Sequence, residues 1–192
     1  MARWAPGAGD RLQAAALDLF TDQGYDQTTV SQIAERAGVT DRTFFRWFPD
    51  KREVLFAGSE RLLALFTDAV AGSPATDPVE IAADALAAST AFFAEERRPW
   101  ARRRAAVVYG HPALAEREQL KMLTLAAALA EALRGRGVPE PDATLLGHTT
   151  VTVFQVSFEA WIRPDETREM AQIQRETFAA LRETLGRVST PG

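Results

Sequence analysis

Apolar residues recur three or four positions apart along almost the whole chain, and no segment alternates apolar and polar residues over the length of a strand. The pattern predicts an all-α fold of about nine helices, bounded by capping residues and prolines. Leu12, Ala15, Ala16, Leu19 and Phe20 share one face of a first helix, expected to start after Asp10 and to stop at Gly24. Thr29, with Gln32 three positions on, has the form of a capping box for a second helix. Ile33, Ala34 and Ala37 give that helix an inward face, and Gly38 turns the chain. A third, short helix opens after Thr40 and is ended by Pro49, which disfavours helical geometry at Phe48. Asp50 and Glu53 predict a cap for a fourth helix that carries Val54, Leu55, Leu62 and Phe66 towards Val70.

Gly72-Ser73-Pro74-Ala75-Thr76 is the clearest break. Asp77 as cap, Pro78 at the first position and Glu80 at the third then open a helix expected to reach about Arg97. Pro99 interrupts it, a piece from Trp100 to Tyr109 follows, and a long helix runs from Pro112 to Gly135. The next helix, Asp142 to Ile162, carries two apolar stripes. One is Gly147, Val151, Phe154, Phe158 and Trp161; the other is Leu146, Thr149, Val153, Val156 and Ala160. Pro164 and Asp165 are expected to restart a last helix with Met170, Ile173, Phe178, Leu181 and Leu185 on one stripe. Two doubly striped or amphipathic helices at the end of a chain suit a four-helix bundle between two copies.

Composition narrows the classes. The 192 residues are 46% hydrophobic and 25% charged, as in globular proteins. The chain has no cysteine, so disulfides and thiolate chemistry are excluded. No apolar run would cross a bilayer and the first residues lack a signal-peptide core, so no membrane association and a cytoplasmic location are expected. The net charge is −4 and residues 1–53 carry seven Arg or Lys against eight Asp or Glu. Nucleic-acid binding would therefore have to rest on where charges sit.

The stretch TVSQIAERAGVTDRTFFRWFPDK, Thr29 to Lys51, offers such an arrangement. Two short helices separated by a glycine turn form a helix-turn-helix pattern, whose second helix can enter a major groove. Helix N-termini at Thr29, Thr40 and Asp50 present amides, and Thr29, Thr40 and Thr43 hydroxyls, to phosphates. On the short helix Phe44 and Phe48 should face inward. Asp41, Arg42, Phe45 and Arg46 then face out, where Phe45 can meet a thymine methyl and an arginine can pair with guanine. The plainer reading is an aromatic core wedge with solvated arginines. Five bulky positions do not fit one face of so short a helix, so Phe45 or Trp47 should be exposed.

The run LFTDQGYDQTTVSQIAERAGVTDRTFFRWFPDKREVLF, Leu19 to Phe56, resembles the head of the TetR family of bacterial transcriptional regulators. The resemblance implies a helix-turn-helix DNA-binding domain over 1–52 and a ligand-binding and dimerisation domain over 53–192. It places base-reading positions at Ser31, Gln32, Asp41, Arg42 and Phe45, and phosphate contacts at Thr29, Thr40, Thr43, Trp47 and Lys51. Phe45 stands where tyrosine is common, and Trp47 where tyrosine or histidine is common; the indole N–H can still donate. The implied partners are an operator in double-stranded DNA, a small-molecule inducer, and a second copy bound through the last two helices. The implied function is a homodimeric repressor on a near-palindromic operator, released by the small molecule.

The resemblance also implies a pocket in the body. Its candidate walls include Phe93, Trp100, Met122, Phe154 and Phe158, each of which could equally be core. Thr150 and its polar neighbours in the apolar helix would line the pocket or bond back to their own helix. The run Arg97, Arg98, Arg102, Arg103 and Arg104 is either a solvated face paired with Glu95 and Glu96 or, at Arg103, an attractor for an anionic inducer. His111 and His148 are isolated, and no nucleophile elbow, Glu-x-x-His pair or phosphate-binding glycine loop is present. No catalytic residue, metal site or cofactor is therefore expected. The competing reading is an all-α carrier or enzyme whose helical head only packs.

Overall fold

The computed structural model describes residues 7–188, and every regular element among them is helical. The nine α-helices are α1 (Ala8–Gln23), α2 (Val30–Arg36), α3 (Asp41–Trp47), α4 (Ser59–Gly72), α5 (Pro78–Ser89), α6 (Arg98–Tyr109), α7 (Pro112–Gly135), α8 (Asp142–Trp161) and α9 (Met170–Val188). Short 3-10 turns at Glu53–Phe56, Thr90–Phe92 and Glu95–Arg97 join some of them. No helix among the described residues is long and apolar enough to cross a membrane.

The chain divides into two compact units. Residues 7–59 with Arg103–Glu118 form one; Glu60–Arg102 with residues 119–188 form the other. The division falls inside α6 and inside α7, so both helices contribute to each unit. In the first unit Leu12, Ala16, Leu17 and Phe20 of α1 pack with Ile33, Ala34 and Phe44 and with Val54, Leu55 and Phe56, all buried. In the second, α8 lies against α5 and α9. Gly147 lets α8 approach α7 closely, since a β-carbon there would stand 2.7 Å from the Ala126 carbonyl oxygen.

Several helix boundaries differ from those the pattern predicts, each for a local reason. Helix α1 begins at Ala8, and Asp10 sits inside its first turn, where a carboxylate meets the positive end of the helix. Asp50 does act as a cap, accepting from the Arg52 and Glu53 amides, but only a 3-10 turn forms before α4 starts at Ser59. Gly58 has poor helix propensity, and the Leu55 carbonyl that a continuous helix would use is taken by Arg104 Nε at 2.7 Å.

Helix α5 stops at Ser89 instead of reaching Arg97. The Ser89 and Thr90 hydroxyls bond back to Leu86 and Ala87 carbonyls, which competes with helix continuation. Helix α9 starts at Met170, not at Asp165. Glu166 first gathers the amides of Thr167 and Arg168 into a turn. By contrast α7 ends where expected. Gly137 adopts φ +85° and the Val138 amide bonds the Leu133 carbonyl, closing the helix with a left-handed residue.

Candidate functional site

The helix-turn-helix segment is held by its caps. Thr29 is extended, Gln32 N donates to Thr29 Oγ1 at 3.2 Å, and Thr29 N donates to Gln32 Oε1 at 2.8 Å. That is the capping box the sequence predicts, and it has a consequence for Gln32. Its side-chain oxygen also receives Gln23 Nε2 at 3.2 Å, so only its amide N–H groups are left for an outside partner. Gly38, at φ +68°, and the bond from Val39 N to Ala34 O turn the chain sharply into α3. Thr40 caps α3 by accepting from Thr43 N, and the two threonine hydroxyls lie 3.1 Å apart. Ser31 of α2 donates to the Asp41 carboxylate of α3 at 2.6 Å.

Helix α3 divides its side chains as its spacing requires. Phe44 and Phe48 are buried with ring centroids 5.6 Å apart. Phe45 is 56% exposed and Trp47 51%. Arg42 and Arg46 are exposed, and neither has a hydrogen bond or ion pair among the described residues. One outward surface of α3 therefore carries two large rings and two unspent guanidinium groups. Aromatic rings of this size would ordinarily be drawn out of water.

Lys51, which the resemblance gives as a phosphate contact, is turned to the protein's own backbone. Its ammonium donates to the carbonyls of Tyr25 at 2.7 Å and Thr28 at 2.8 Å, and lies 4.1 Å from the centre of the Tyr25 ring. Partial burial lowers its pKa, against a smaller opposing effect of Asp26. Partial burial of Tyr25 in turn raises the phenol pKa. Lys51 thus braces the turn that leads into α2. Burial alone would raise the Asp50 pKa, but hydrogen bonds from the Arg52 side chain and from the Glu53 and Arg52 amides outweigh it and lower the pKa.

In the second unit the aromatic candidates come together. The Phe93 ring lies 5.5 Å from Phe154 and 5.7 Å from both Phe158 and Trp161, and Phe66 meets Phe154 at 5.6 Å. Thr150 is buried and bonds back to the Leu146 carbonyl, which leaves its methyl as the group offered to neighbours. Trp100 and Met122 are half-buried, and Trp100 has Arg97 beside its ring. A separate cleft of about 140 Å³ lies between α5 and α9, lined by Leu86, Ala87, Gln174 and Phe178 among others.

The arginine run is a solvated face only in part: Arg97 and Arg103 are exposed and Arg98 pairs with Glu95, but the run does not form a single cluster. Arg98, 6% exposed, donates to Glu95 and to the carbonyls of Glu166 and Arg168, and covers the Trp161 ring. Arg102 caps the end of α8 through the Ile162 and Arg163 carbonyls. Arg103 pairs with Asp18 at 2.7 Å, and Arg104 with Glu118 at 2.8 Å. Arg103 belongs to the first unit, and Phe93, Phe154 and Phe158 belong to the second. The structural work of Arg98 and Arg102 went unread in the sequence. Their spacing of four, against the offset of Arg103 and Arg104, was the signal that the run serves more than one face.

Comparison with known proteins decides the family. Residues 12–57 match the model described as bacterial regulatory proteins of the TetR family, and residues 76–186 match the MftR C-terminal domain. The chain belongs to the TetR family. This TetR-family chain is 46% identical over 66 residues to the HTH-type transcriptional regulator TcmR of Streptomyces glaucescens, a match that spans 34% of this chain but only 29% of that protein. It is 26% identical over 181 residues to an HTH-type transcriptional regulator of Mycobacterium tuberculosis, covering 90% of this chain and 92% of the other. Among solved structures it resembles SmeT, the repressor of a Stenotrophomonas maltophilia multidrug efflux pump, with a TM-score of 0.59 at 18% identity over 94% of this chain and 90% of that one. It also resembles the Thermus thermophilus repressor FadR, solved with lauroyl-CoA, with a TM-score of 0.53 at 24% identity over 91% and 93%. The fold of this TetR-family regulator is that of those structures, and its curated relatives are named as transcriptional regulators.

Proposed function

We propose that this TetR-family regulator is a homodimeric repressor that binds a near-palindromic operator and leaves it when a small molecule occupies its body. The observation that carries the reading is the outward surface of α3. Phe45 and Trp47 are more than half exposed beside Arg42 and Arg46, which have no ion pair among the described residues, while Phe44 anchors the helix from behind. Exposed rings and uncompensated guanidinium groups on a short helix are ready for thymine methyls, guanine edges and phosphates. Thr29, Ser31, Gln32, Thr40, Asp41 and Thr43 complete the proposed DNA-facing set. Lys51 is assigned the Tyr25–Thr28 turn, through which it positions α2.

Pairing through α8 and α9 is supported by two large apolar residues left exposed on α8, Leu145 and Val156; of the second stripe read in the sequence, Val153 is buried and Val156 is exposed. Two copies joined there would offer two recognition helices about one turn of DNA apart. The proposed inducer is apolar, and Phe93, Met122, Phe154 and Phe158, with the Thr150 methyl, are its candidate contacts. The Thermus thermophilus FadR structure, which shares this fold and was solved with lauroyl-CoA, is compatible with such a ligand.

Helices α4 and α6, along which the chain passes from one unit to the other, are the proposed route to the head. A ligand that fits one arrangement better than the other then shifts operator affinity by that difference. The test is a mobility shift with the DNA flanking its own gene, over a range of salt, with the mass of the protein in solution measured alongside. Sequence-specific binding that weakens with salt, by a dimer, is expected. A monomer, or no specific binding, would sink the reading.

A further inference from the structure

We propose that Asp41, held in place by Ser31, accepts a hydrogen bond from a cytosine amino group and so fixes one base in each half-site. The proposal rests on the DNA-binding reading above and adds to it the base and the atom. Asp41 is the first residue of α3 and is exposed, as is Ser31 on α2. The Ser31 hydroxyl donates to Asp41 Oδ2 at 2.6 Å. Since both groups lie in water, the bond does not repair a burial cost. Its effect is to orient the carboxylate, which leaves Oδ1 without a partner among the described residues. Neither Arg42 nor Arg46 pairs with it.

A carboxylate is an unusual group to bring to DNA, because phosphates repel it. In the major groove it is also repelled by guanine N7 and O6 and by thymine O4, all acceptors. Adenine offers an amino proton, but beside the N7 acceptor. Cytosine N4 offers one with only a C–H next to it. Asp41 therefore rewards cytosine and penalises the other three bases, and the penalty does as much for selectivity as the bond. A purely structural Asp41 would stabilise the helix start through its charge, regardless of the base opposite.

The experiment first selects the preferred operator from random DNA with the full-length protein. Binding is then measured to operators in which each selected cytosine is replaced by every other base or by N4-methylcytosine, whose methyl takes the place of the groove-facing proton while pairing with guanine persists. Wild type should prefer cytosine at one position per half-site by on the order of 10- to 100-fold and lose that preference on N4-methylation. Asp41→Ala, which has no acceptor to offer the amino group, should be indifferent to the methyl group. Ser31→Ala should narrow the cytosine preference at that position, and N4-methylation should cost it less than it costs wild type. Specific binding with no position at which N4-methylation and Asp41→Ala are non-additive overturns the assignment and leaves the DNA-binding reading intact. No specific binding by wild type overturns both. Both substitutions are at exposed positions, and unchanged melting of the variants excludes misfolding as the cause.

Discussion

The Trp47 indole lies over Gly9: a β-carbon on Gly9 would stand 3.1 Å from Trp47 Cε3. One face of the most exposed end of α3 is thus set by the absence of a side chain in α1. Gly9→Ala should raise intrinsic helix propensity by about 1 kcal/mol and push the ring outward by a few tenths of an ångström. The two effects should nearly cancel in thermal melting, whereas operator affinity should fall several-fold if Trp47 meets the DNA backbone. Titration of labelled operator against wild type and variant checks this. Unchanged affinity with a shifted indole emission would remove Trp47 from the contact set.

Gly147 presents the opposite case, because its neighbours are backbone and cannot step aside. An added methyl would lie 2.7 Å from the Ala126 carbonyl oxygen and 2.9 Å from the Ala130 nitrogen. Gly147→Ala should cost about 1–3 kcal/mol through overpacking, despite the better helix former. A lower urea midpoint at an unchanged slope is the expected result, and a midpoint equal to wild type would count against so close an approach of α7 and α8.

Arg98 is a third point of leverage. Its guanidinium satisfies carbonyls at Glu166 and Arg168, and Glu95, which it also engages, accepts from Trp161 Nε1 at 3.1 Å. Arg98→Met keeps most of the volume and leaves acceptors unpaired, a loss of about 1–3 kcal/mol. Arg98→Lys should rescue little, since a single ammonium cannot span the fork of partners. Chemical denaturation of the three proteins compares them directly, and full rescue by lysine would show that charge alone matters there.

The legibility of the fold in the sequence depends on the range of the forces involved. The Thr29–Gln32 box, the Thr40 cap, the inward Phe44 and Phe48 and the outward Phe45 are all settled within a few residues, and spacing reveals them. The fate of the arginines is not local. Arg98 reaches residues about 70 positions away and Arg104 reaches Leu55, so only the folded chain tells a carbonyl cap from a solvated charge. The early end of α5 also has a distant element: the Ser89 hydroxyl that bonds back into the helix is met by Gln174 Nε2 at 3.0 Å, a buried pair from opposite ends of the body. Lys51 is intermediate. Its place after Asp50 was visible, but its use of the Tyr25 and Thr28 carbonyls was not.

The turn before α9 carries a pH dependence whose sign can be worked out. Glu166 accepts from the Arg168 side chain and from the Arg168 and Thr167 amides, and these bonds hold its carboxyl down to about 2, against an ordinary value of 4.5. A carboxylate with a depressed pKa adds stability that is complete above its unfolded value and is lost as pH falls through its folded one. The stability this turn contributes should therefore be complete above pH 4.5, decline between there and about 2 and be gone below, while in the folded chain the carboxylate keeps its hydrogen bonds until it takes up a proton near 2. The Arg168 guanidinium, raised by the same bond, stays charged throughout and does not contribute to the change. The Thr167 and Arg168 amide resonances followed by NMR over this range would report it. In Glu166→Gln the same resonances should be insensitive to acid until the rest of the body unfolds. A wild-type transition centred near 4.5 instead would mean that the Arg168 bond does not hold the carboxylate in solution.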